Sequence, residues 1–187
     1  MPESASLETS PPAAASIANA HRIHRPFVIL ILCVTAPTLI LDQLSKIAVK
    51  NHMTLYESIT LIPNWLDITY TLNPGAAFSM FANGPPWVRI AMLLTLAGAA
   101  MIVLIAMLWQ CESVNLNAIA FALVLAGAMG NFIDRASRGL VIDFVRMHYY
   151  DANFPIYNVA DSAISVGVAL IILASILEGP APKSSRG

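Results

Sequence analysis

Residues 90–109 read IAMLLTLAGAAMIVLIAMLW, a run without a charged side chain that follows Trp87 and ends at Trp109. A helix that spans the hydrocarbon core of a bilayer needs roughly 20 mostly apolar residues. Tryptophan is enriched at both membrane–water interfaces, so a tryptophan near each end fits such a helix. The stretch therefore predicts a transmembrane helix over about 88–109.

The composition of the whole chain agrees with a membrane protein. Of its 187 residues, 57% are hydrophobic and 11% are charged, whereas a soluble chain carries about 25% charged residues. The net charge of −1 leaves no basic excess for nucleic-acid phosphates, which argues against a nucleic-acid partner. The two cysteines, Cys33 and Cys111, form neither a disulfide framework nor a metal-ligand pattern and are interpreted as unpaired thiols.

Three further apolar stretches predict membrane spans at about 27–49, 117–133 and 159–177. A cleaved signal peptide is the alternative for the first stretch, but the stretch is long and no small-residue cleavage pattern follows it. The last two contain small residues that allow helices to pack closely in lipid, including Gly127, Gly130 and Gly167. The sequence thus predicts an all-α integral membrane protein with four transmembrane helices, within a domain over 26–178.

The connections between the spans differ in length. Two long loops, about 50–87 and 134–158, fall at one membrane face, and both termini fall at the other. Arg22 and Arg25 flank the first span, which favours cytoplasmic termini, although the remaining basic residues lie on both sides and charge alone does not orient the chain. Residues 1–25 are too polar and too rich in serine, alanine and proline to form a core and predict a disordered cytoplasmic tail. Residues 179–187 predict a second cytoplasmic tail.

The first long loop carries a pattern typical of a strand. Apolar and polar residues alternate from Leu66 to Leu72, as in a half-buried β-strand. Asn73-Pro74-Gly75 then predicts a turn. All five tyrosines lie in the two long loops, as expected for a small folded layer resting on the membrane interface.

Ionisable residues near the spans gather at the long-loop face. Each such side chain costs about 2.5–3.5 kcal/mol on insertion scales, so each is a candidate functional residue. Because the chain reverses direction with each of the four spans, all of these residues fall at the same end of the bundle. We expect one polar pocket there, at the level of the membrane. The ionisable residues are Asp42, Lys46, Asp134, Arg135, Asp143 and Asp161, and the polar residues Asn131 and Asn158 belong to the same set.

Every residue of this set except Asp143 also has a structural interpretation. Asp42 and Lys46 are spaced for an i,i+4 ion pair that neutralises itself, and Asp134 beside Arg135 could form a pair at a helix end. Similarly, Asn131 and Asn158 could cap helices, and Asp161 could be a carboxylate stabilised by a helix dipole.

The residue types limit the chemistry that this pocket can perform. The four histidines lie in the tail flank and the loops, and neither loop histidine is near a serine in sequence, which gives little support for a serine triad. No HExxH motif or zinc spacing is present, so neither a metal nor another cofactor is expected. Two carboxylates that share one proton can activate water with one member and protonate the leaving amine with the other.

Five stretches together resemble the lipoprotein signal peptidase family, signal peptidase II of bacteria. They are LDQLSK at 41–46, NPGAAFS at 73–79, GAMGNFIDR at 127–135, GLVIDFV at 139–145 and YNVADSAIS at 157–165. They occur in the family's order, and the resemblance covers nearly the whole chain from Phe27 to Leu177.

The resemblance implies four transmembrane helices with a small periplasmic β-sheet cradle in the bacterial inner membrane. It implies an aspartic-type endopeptidase that removes the signal peptide from diacylglyceryl-modified prolipoproteins, before the lipidated cysteine, with its active site at the periplasmic face. The partners would be prolipoproteins and membrane lipids, and we expect a monomer.

Carried over residue by residue, the resemblance makes Asp143 and Asp161 the catalytic dyad. Pro74 departs from the family pattern, which usually has a residue with a backbone N–H there, and the tail before His21 is longer than the family needs. The positions implied to bind substrate or shape the site are Asp42, Lys46, Asn73, Gly127, Asn131, Arg135 and Asn158.

Two other functions fit some of these features. A small proton-coupled transporter or channel would use intramembrane charges as an ion path, but it predicts polar residues at several depths. A metal-dependent phosphatidyltransferase would need clustered carboxylates for Mg²⁺, and Asp134, Asp143 and Asp161 are too widely spaced for one helical metal motif.

Overall fold

A computed structural model of the protein describes residues 25–75, 85–150 and 152–178. The predicted disordered tail, apart from Arg25, and the predicted tail at 179–187 lie outside these residues. Residues 76–84 of the first long loop lie outside them as well, so the fold is described without these segments.

Four helices dominate the described part of the chain, which confirms the predicted fold class. Each is long and apolar enough to cross a membrane. One short connection joins the second and third helices, and the strands of one small sheet lie in the two longer connections. The helices are α1 (Arg25–His52), α2 (Pro86–Trp109), α3 (Leu116–Arg138) and α4 (Val159–Glu178).

Helix α1 contains a π-helical turn over Ile31–Thr35. At the last residue of this turn, Thr35 Oγ1 donates a hydrogen bond of 3.1 Å to the carbonyl oxygen of Ala122 in α3. Below this contact Leu30, Leu108 and Leu125 form a buried apolar cluster. This cluster holds α1, α2 and α3 together at the end of the bundle where the chain enters.

Helix α3 has a defined cap at each end. The side chain of Asn115 accepts a hydrogen bond of 2.9 Å from the Ala118 amide, and Gly139 adopts φ 74° immediately after the last helical residue, a left-handed conformation that glycine reaches without strain. The helix runs to Arg138, five residues past the end predicted for the third span. Asp134 and Arg135 therefore belong to its last turns and not to a loop.

Helices α3 and α4 lie very close to each other at two glycines. A Cβ at Gly127 would collide with the Ala160 carbonyl oxygen, and one at Gly167 would lie 2.6 Å from Val124 Cγ2. Small residues allow backbones to approach this closely in membranes. As a result, the start of α4 lies directly beside the middle of α3.

A four-stranded antiparallel sheet follows the order β1-β2-β3-β4 and caps one end of the bundle. The strand predicted from Leu66 is confirmed as β2, but the other three strands were not predicted. The central pair places Leu66 opposite Met147 and Thr71 opposite Asp143. The strands are β1 (Ser58–Ile62), β2 (Leu66–Asn73), β3 (Val141–Tyr149) and β4 (Ala152–Asn153).

The sheet is fixed to the bundle by a second apolar cluster. Tyr70, Ile142 and Phe144 of the sheet are buried against Val49, near the end of α1. Because the polar residues of α1, α3 and α4 lie at this same end, the sheet covers them.

Candidate active site

Asp143 lies on β3 and is only 2% exposed. Two side-chain amides donate hydrogen bonds to it: Asn158 Nδ2 at 2.7 Å to Oδ1 and Asn73 Nδ2 at 2.9 Å to Oδ2. Burial, opposed by the bond from Asn73, raises the pKa of Asp143 from 3.8 to about 6. The negative charge of Asp161 raises this pKa further, and the bond from Asn158 lowers it.

Asp161 lies in the first turn of α4 and forms a reciprocal cap with Asn158. The Asp161 amide donates to Asn158 Oδ1 at 2.9 Å, and the Asn158 amide donates to Asp161 Oδ2 at 3.2 Å. The capping interpretation is therefore confirmed for Asn158. The second carboxylate oxygen of Asp161 accepts a hydrogen bond of 2.7 Å from Asn131 Nδ2.

The two aspartates share one neighbour and differ in exposure. Asn158 bonds to Asp143 through its side chain and to Asp161 through its backbone. Asp143 is buried, whereas Asp161 is half-buried and lines an apolar cavity of about 530 Å³ together with Tyr157 and Val166. One carboxyl group is thus enclosed, and the other faces a space that a ligand can enter.

Lys46 is the fully buried cation beneath this site. Its Nζ lies 2.8 Å from Asp42 Oδ2 and 2.9 Å from Asp134 Oδ2, and it also donates to Asn131 Oδ1 at 3.2 Å. The predicted pair between Asp42 and Lys46 is present, but a second carboxylate from α3 completes it. Asn131 in turn contacts Asp161, so Lys46 and Asp161 are connected through one amide side chain.

Asp42 joins α1 to the start of α4. Its Oδ1 accepts a hydrogen bond of 2.9 Å from the Ala160 amide, and its carboxylate lies where a Cβ of Gly130 would be. The side chain of Gln43, which the sequence did not single out, donates to Asp42 Oδ2 at 3.0 Å.

The predicted pair between Asp134 and Arg135 is wrong. Among the described residues, Asp134 forms ion pairs with Arg138, 3.0 Å away, and with Lys46. Neighbouring side chains on a helix point in different directions, whereas residues four apart share a face. Asp134 Oδ2 also accepts a bond of 3.4 Å from the Ile142 amide, which ties α3 to β3.

Asn131 and Gly127 lie inside α3. Capping is therefore the wrong interpretation for Asn131, because the helix continues for two turns beyond it; its amide instead links Lys46 with Asp161. Gly127 lies one turn before it, against the backbone of Ala160. At this position it sets the distance between α3 and the segment that carries Asp161.

Arg135 faces the turn at the end of β2. Its Nε lies 3.8 Å from the position of a Cβ on Gly75, where φ is +84°, and the Gly75 amide donates to Asn73 Oδ1 at 2.8 Å, so the predicted turn is present. Arg135 Nε is buried without a hydrogen-bond partner in the described part of the chain. Thr71, missed in the sequence, donates to the Asp143 carbonyl oxygen at 3.2 Å; its position two residues before Asn73 on one strand was the available signal.

In residues 25–75, 85–150 and 152–178, no group of three or more His, Cys, Asp or Glu side chains is arranged to hold a metal ion. The site consists of carboxylates, amides and two cations. These features define a multi-pass membrane protein with an enclosed acidic site at one end of its bundle.

Comparison with known proteins identifies the family. The sequence model of the family described as signal peptidase (SPase) II matches residues 34–177. The lipoprotein signal peptidase of Shewanella halifaxensis (strain HAW-EB4) is 40% identical over 146 residues, which cover 78% of this chain and 85% of the relative. The lipoprotein signal peptidase of Polynucleobacter necessarius subsp. necessarius (strain STIR1) is 43% identical over 144 residues, which cover 75% of this chain and 85% of the relative.

A solved structure agrees with this assignment. A bacterial membrane enzyme determined by the in meso method at 1.9 Å resolution is 31% identical, with a TM-score of 0.70 over 82% of this chain and 94% of that one. The chain belongs to the signal peptidase II family and is a multi-pass membrane protease. The transporter and channel alternative is not favoured.

Proposed function

We propose that this protein is an aspartic endopeptidase that cleaves diacylglyceryl-modified prolipoproteins immediately before the lipidated cysteine, with Asp143 and Asp161 as its catalytic pair. The observation that carries the proposal is that both carboxyl groups are bonded to Asn158, one enclosed and one facing a cavity. Relatives named lipoprotein signal peptidase support the substrate class.

The different environments of the two aspartates suggest a division of roles. Asp143, whose pKa burial raises to about 6, holds the shared proton. Asp161, as the carboxylate, takes a proton from a water molecule, and the resulting hydroxide attacks the scissile carbonyl carbon. When the tetrahedral intermediate collapses, the C–N bond breaks and Asp143 gives its proton to the departing amine of the lipidated cysteine.

The remaining polar residues would hold the pair and the substrate. Asn73 and Asn158 orient Asp143, and Asn131 orients Asp161. Lys46 with Asp42 supports the site from α1, and the half-buried guanidinium of Arg135 is placed to receive a substrate carbonyl oxygen. Gly127 keeps α3 and α4 close enough for these contacts.

The location of the site agrees with a lipid-anchored substrate. Its residues come from the end of α1, the end of α3 and the start of α4, which an even number of spans puts at one membrane face. We place this face on the periplasmic side of the inner membrane. We propose that the protein acts as a monomer surrounded by membrane lipids.

A cleavage assay tests the proposal. The purified full chain in lipid is incubated with a diacylated prolipoprotein and with its unmodified precursor. We expect release of the signal peptide from the diacylated form, a product that begins with the lipidated cysteine, and unchanged activity in EDTA. Failure to cleave the diacylated form would refute the substrate assignment, and loss in EDTA with recovery on a divalent ion would refute the aspartic mechanism.

A further inference from the structure

Two apolar cavities of similar size adjoin the proposed active site. One, about 530 Å³, is bordered by Phe154, Asp161, Ser165 and Val166; the other, about 560 Å³, lies over the sheet beside Ile62, Trp65, Leu66 and Val145. Met147 and Tyr157 line both cavities. These two side chains are therefore the wall between them.

This wall is held in place by the sheet. Tyr157 Oη donates a hydrogen bond of 2.9 Å to Met147 Sδ. The backbone of Tyr157 is paired with Val145, with N–H···O distances of 2.8 and 3.1 Å in the two directions. The side chains that separate the cavities thus have positions set by β3.

The same strand leads from the proposed catalytic aspartate to the wall. Side chains two apart on a regular strand point to the same side, so Val145 and Met147, two and four residues beyond Asp143, share one face of β3. Val145 lines one cavity and Met147 lines both. A group attached to the residue beside the cleaved bond would follow this face and meet the wall formed by Met147 and Tyr157.

We propose that Met147 and Tyr157 separate two acyl-chain sites, so that each cavity receives one of the two chains of the substrate's diacylglyceryl group. This inference rests on the proposed function and specifies how its lipid is recognised. Both cavities are within the volume range of small-molecule sites, and Asp161 is the one charged residue among their described linings. A divided space fits two separate chains better than one signal helix, which would need a continuous groove.

Exposed apolar residues at the margins allow each cavity to be filled without disturbing the core. Ile62 is 52% exposed and lines only the sheet cavity, and Val166 is 51% exposed and lines only the other. The variants Ile62→Trp and Val166→Trp would occupy these spaces. The matched controls are Ile59→Trp on β1 and Val168→Trp on α4, which are 47% and 44% exposed and line neither cavity.

The test compares a diacylglyceryl prolipopeptide with the same peptide carrying a single acyl chain. Each filling variant should raise KM for the two-chain substrate about tenfold, because several buried CH₂ groups lose their site, while kcat is retained. KM for the one-chain substrate should rise by less than about threefold, since its chain can use the cavity that is still open. The double filling variant should raise KM for both substrates, and the controls should behave as wild type.

Three results would overturn the inference. One is an equal rise in KM for both substrates in a single filling variant, and another is a control variant that behaves like its filling partner. The third is a change in KM of Val166→Trp that depends on the signal-peptide sequence of the substrate and not on its number of acyl chains. That result would assign the cavity beside Val166 to the signal peptide. If the wild-type protein cleaves neither substrate, the proposed function itself fails, which distinguishes the two hypotheses.

Discussion

The side-chain amide of Asn158 donates a 2.7 Å hydrogen bond to Asp143 while its carbonyl oxygen Oδ1 caps the helix that begins beside it. One residue therefore orients a proposed catalytic group and accepts a hydrogen bond from one of the N–H groups that the first turn of α4 leaves without a helical partner. The amide nitrogen also lies 3.2 Å from Asn131 Oδ1, so Asn158 connects β3, α3 and α4.

Replacing Asn158 should affect both roles. In Asn158→Ala, the lost cap should lower the free energy of unfolding by about 1 kcal/mol. The lost donor should raise the pKa of Asp143 above its wild-type value, because a hydrogen bond to the charged form had lowered it. We expect the alkaline limb of the pH–activity profile to move to higher pH. A profile unchanged in position, with reduced stability alone, would limit Asn158 to a structural role.

The proposed dyad predicts a non-additive loss of activity. Asp143→Asn and Asp161→Asn should each nearly abolish prolipoprotein cleavage. The double variant should have little less activity than either single variant, because the effects of residues that act as a unit are not additive. Asp67→Asn is the control, a buried carboxylate on the same sheet that pairs with Arg146 and His148. Near-normal cleavage by a well-inserted single variant of either dyad residue would exclude the mechanism.

The raised pKa of Asp143 also predicts how stability depends on pH. The folded-state pKa of about 6 exceeds the ordinary value of 3.8, so the folded protein binds this proton more tightly than the unfolded chain. The resulting stability is fully present below pH ~4 and is lost as the pH rises through ~6. Between pH 4 and pH 8, wild type should lose about 2–3 kcal/mol relative to Asp143→Asn, measured as thermal or denaturant unfolding in detergent.

An equal pH dependence of stability in wild type and Asp143→Asn would contradict this environment for Asp143. The comparison of two pH values for each protein matters, because the asparagine also replaces an acceptor by a donor. That change shifts the stability of the variant at every pH by the same amount.

Removing Lys46 should destabilise the protein more than it alters chemistry. In Lys46→Ala, the buried carboxylates of Asp42 and Asp134 lose their common cation, and breaking a buried pair costs about 3–5 kcal/mol. We expect less folded protein, with turnover per folded molecule changed much less. Lys50→Ala, an exposed lysine on the same helix, is the matched control. A normally folded Lys46→Ala protein with intact KM and negligible kcat would assign Lys46 to the chemistry.

The proposed orientation can be tested by cysteine labelling. In a variant without Cys33 and Cys111, Ser58→Cys on exposed β1 should react with an impermeant thiol reagent added to intact cells stripped of their outer membrane. Ser113→Cys, exposed in the connection between α2 and α3, should react only after lysis. The opposite pattern would invert the topology.

The membrane-spanning helices could be predicted because a helix exposed to lipid is a run of roughly 20 mostly apolar residues, which is visible in the sequence itself. The last turn of α3 could not, since residues 134–138 are mostly polar and the hydropathy pattern ends before the helix does. The π-helical turn in α1 was also missed. It spaces buried Leu30 and Thr35 five residues apart, which no regular helical period would assign to one face.

The sheet and the charge network were less accessible to sequence reasoning. β3 is buried over Val141–Phe144, so its two faces are not distinguished by alternating polarity. β1 was missed although Ile59 and Leu61 alternate with Ser58 and Thr60, and this strand is exposed along its whole length. The pair between Lys46 and Asp134 joins residues far apart in sequence, and only their membrane depth, not their contact, follows from the spans.

The backbone of Ile142 has a consequence for the order of assembly. Its N–H is bonded to Asp134 of α3 and its carbonyl oxygen to Asn158 at the start of α4. Side chains of two helices therefore terminate the free edge of β3 at this residue. We expect the nascent strand to remain unsatisfied there until both helices have inserted side by side, so the catalytic end of the molecule would mature last, after its membrane anchor is already complete.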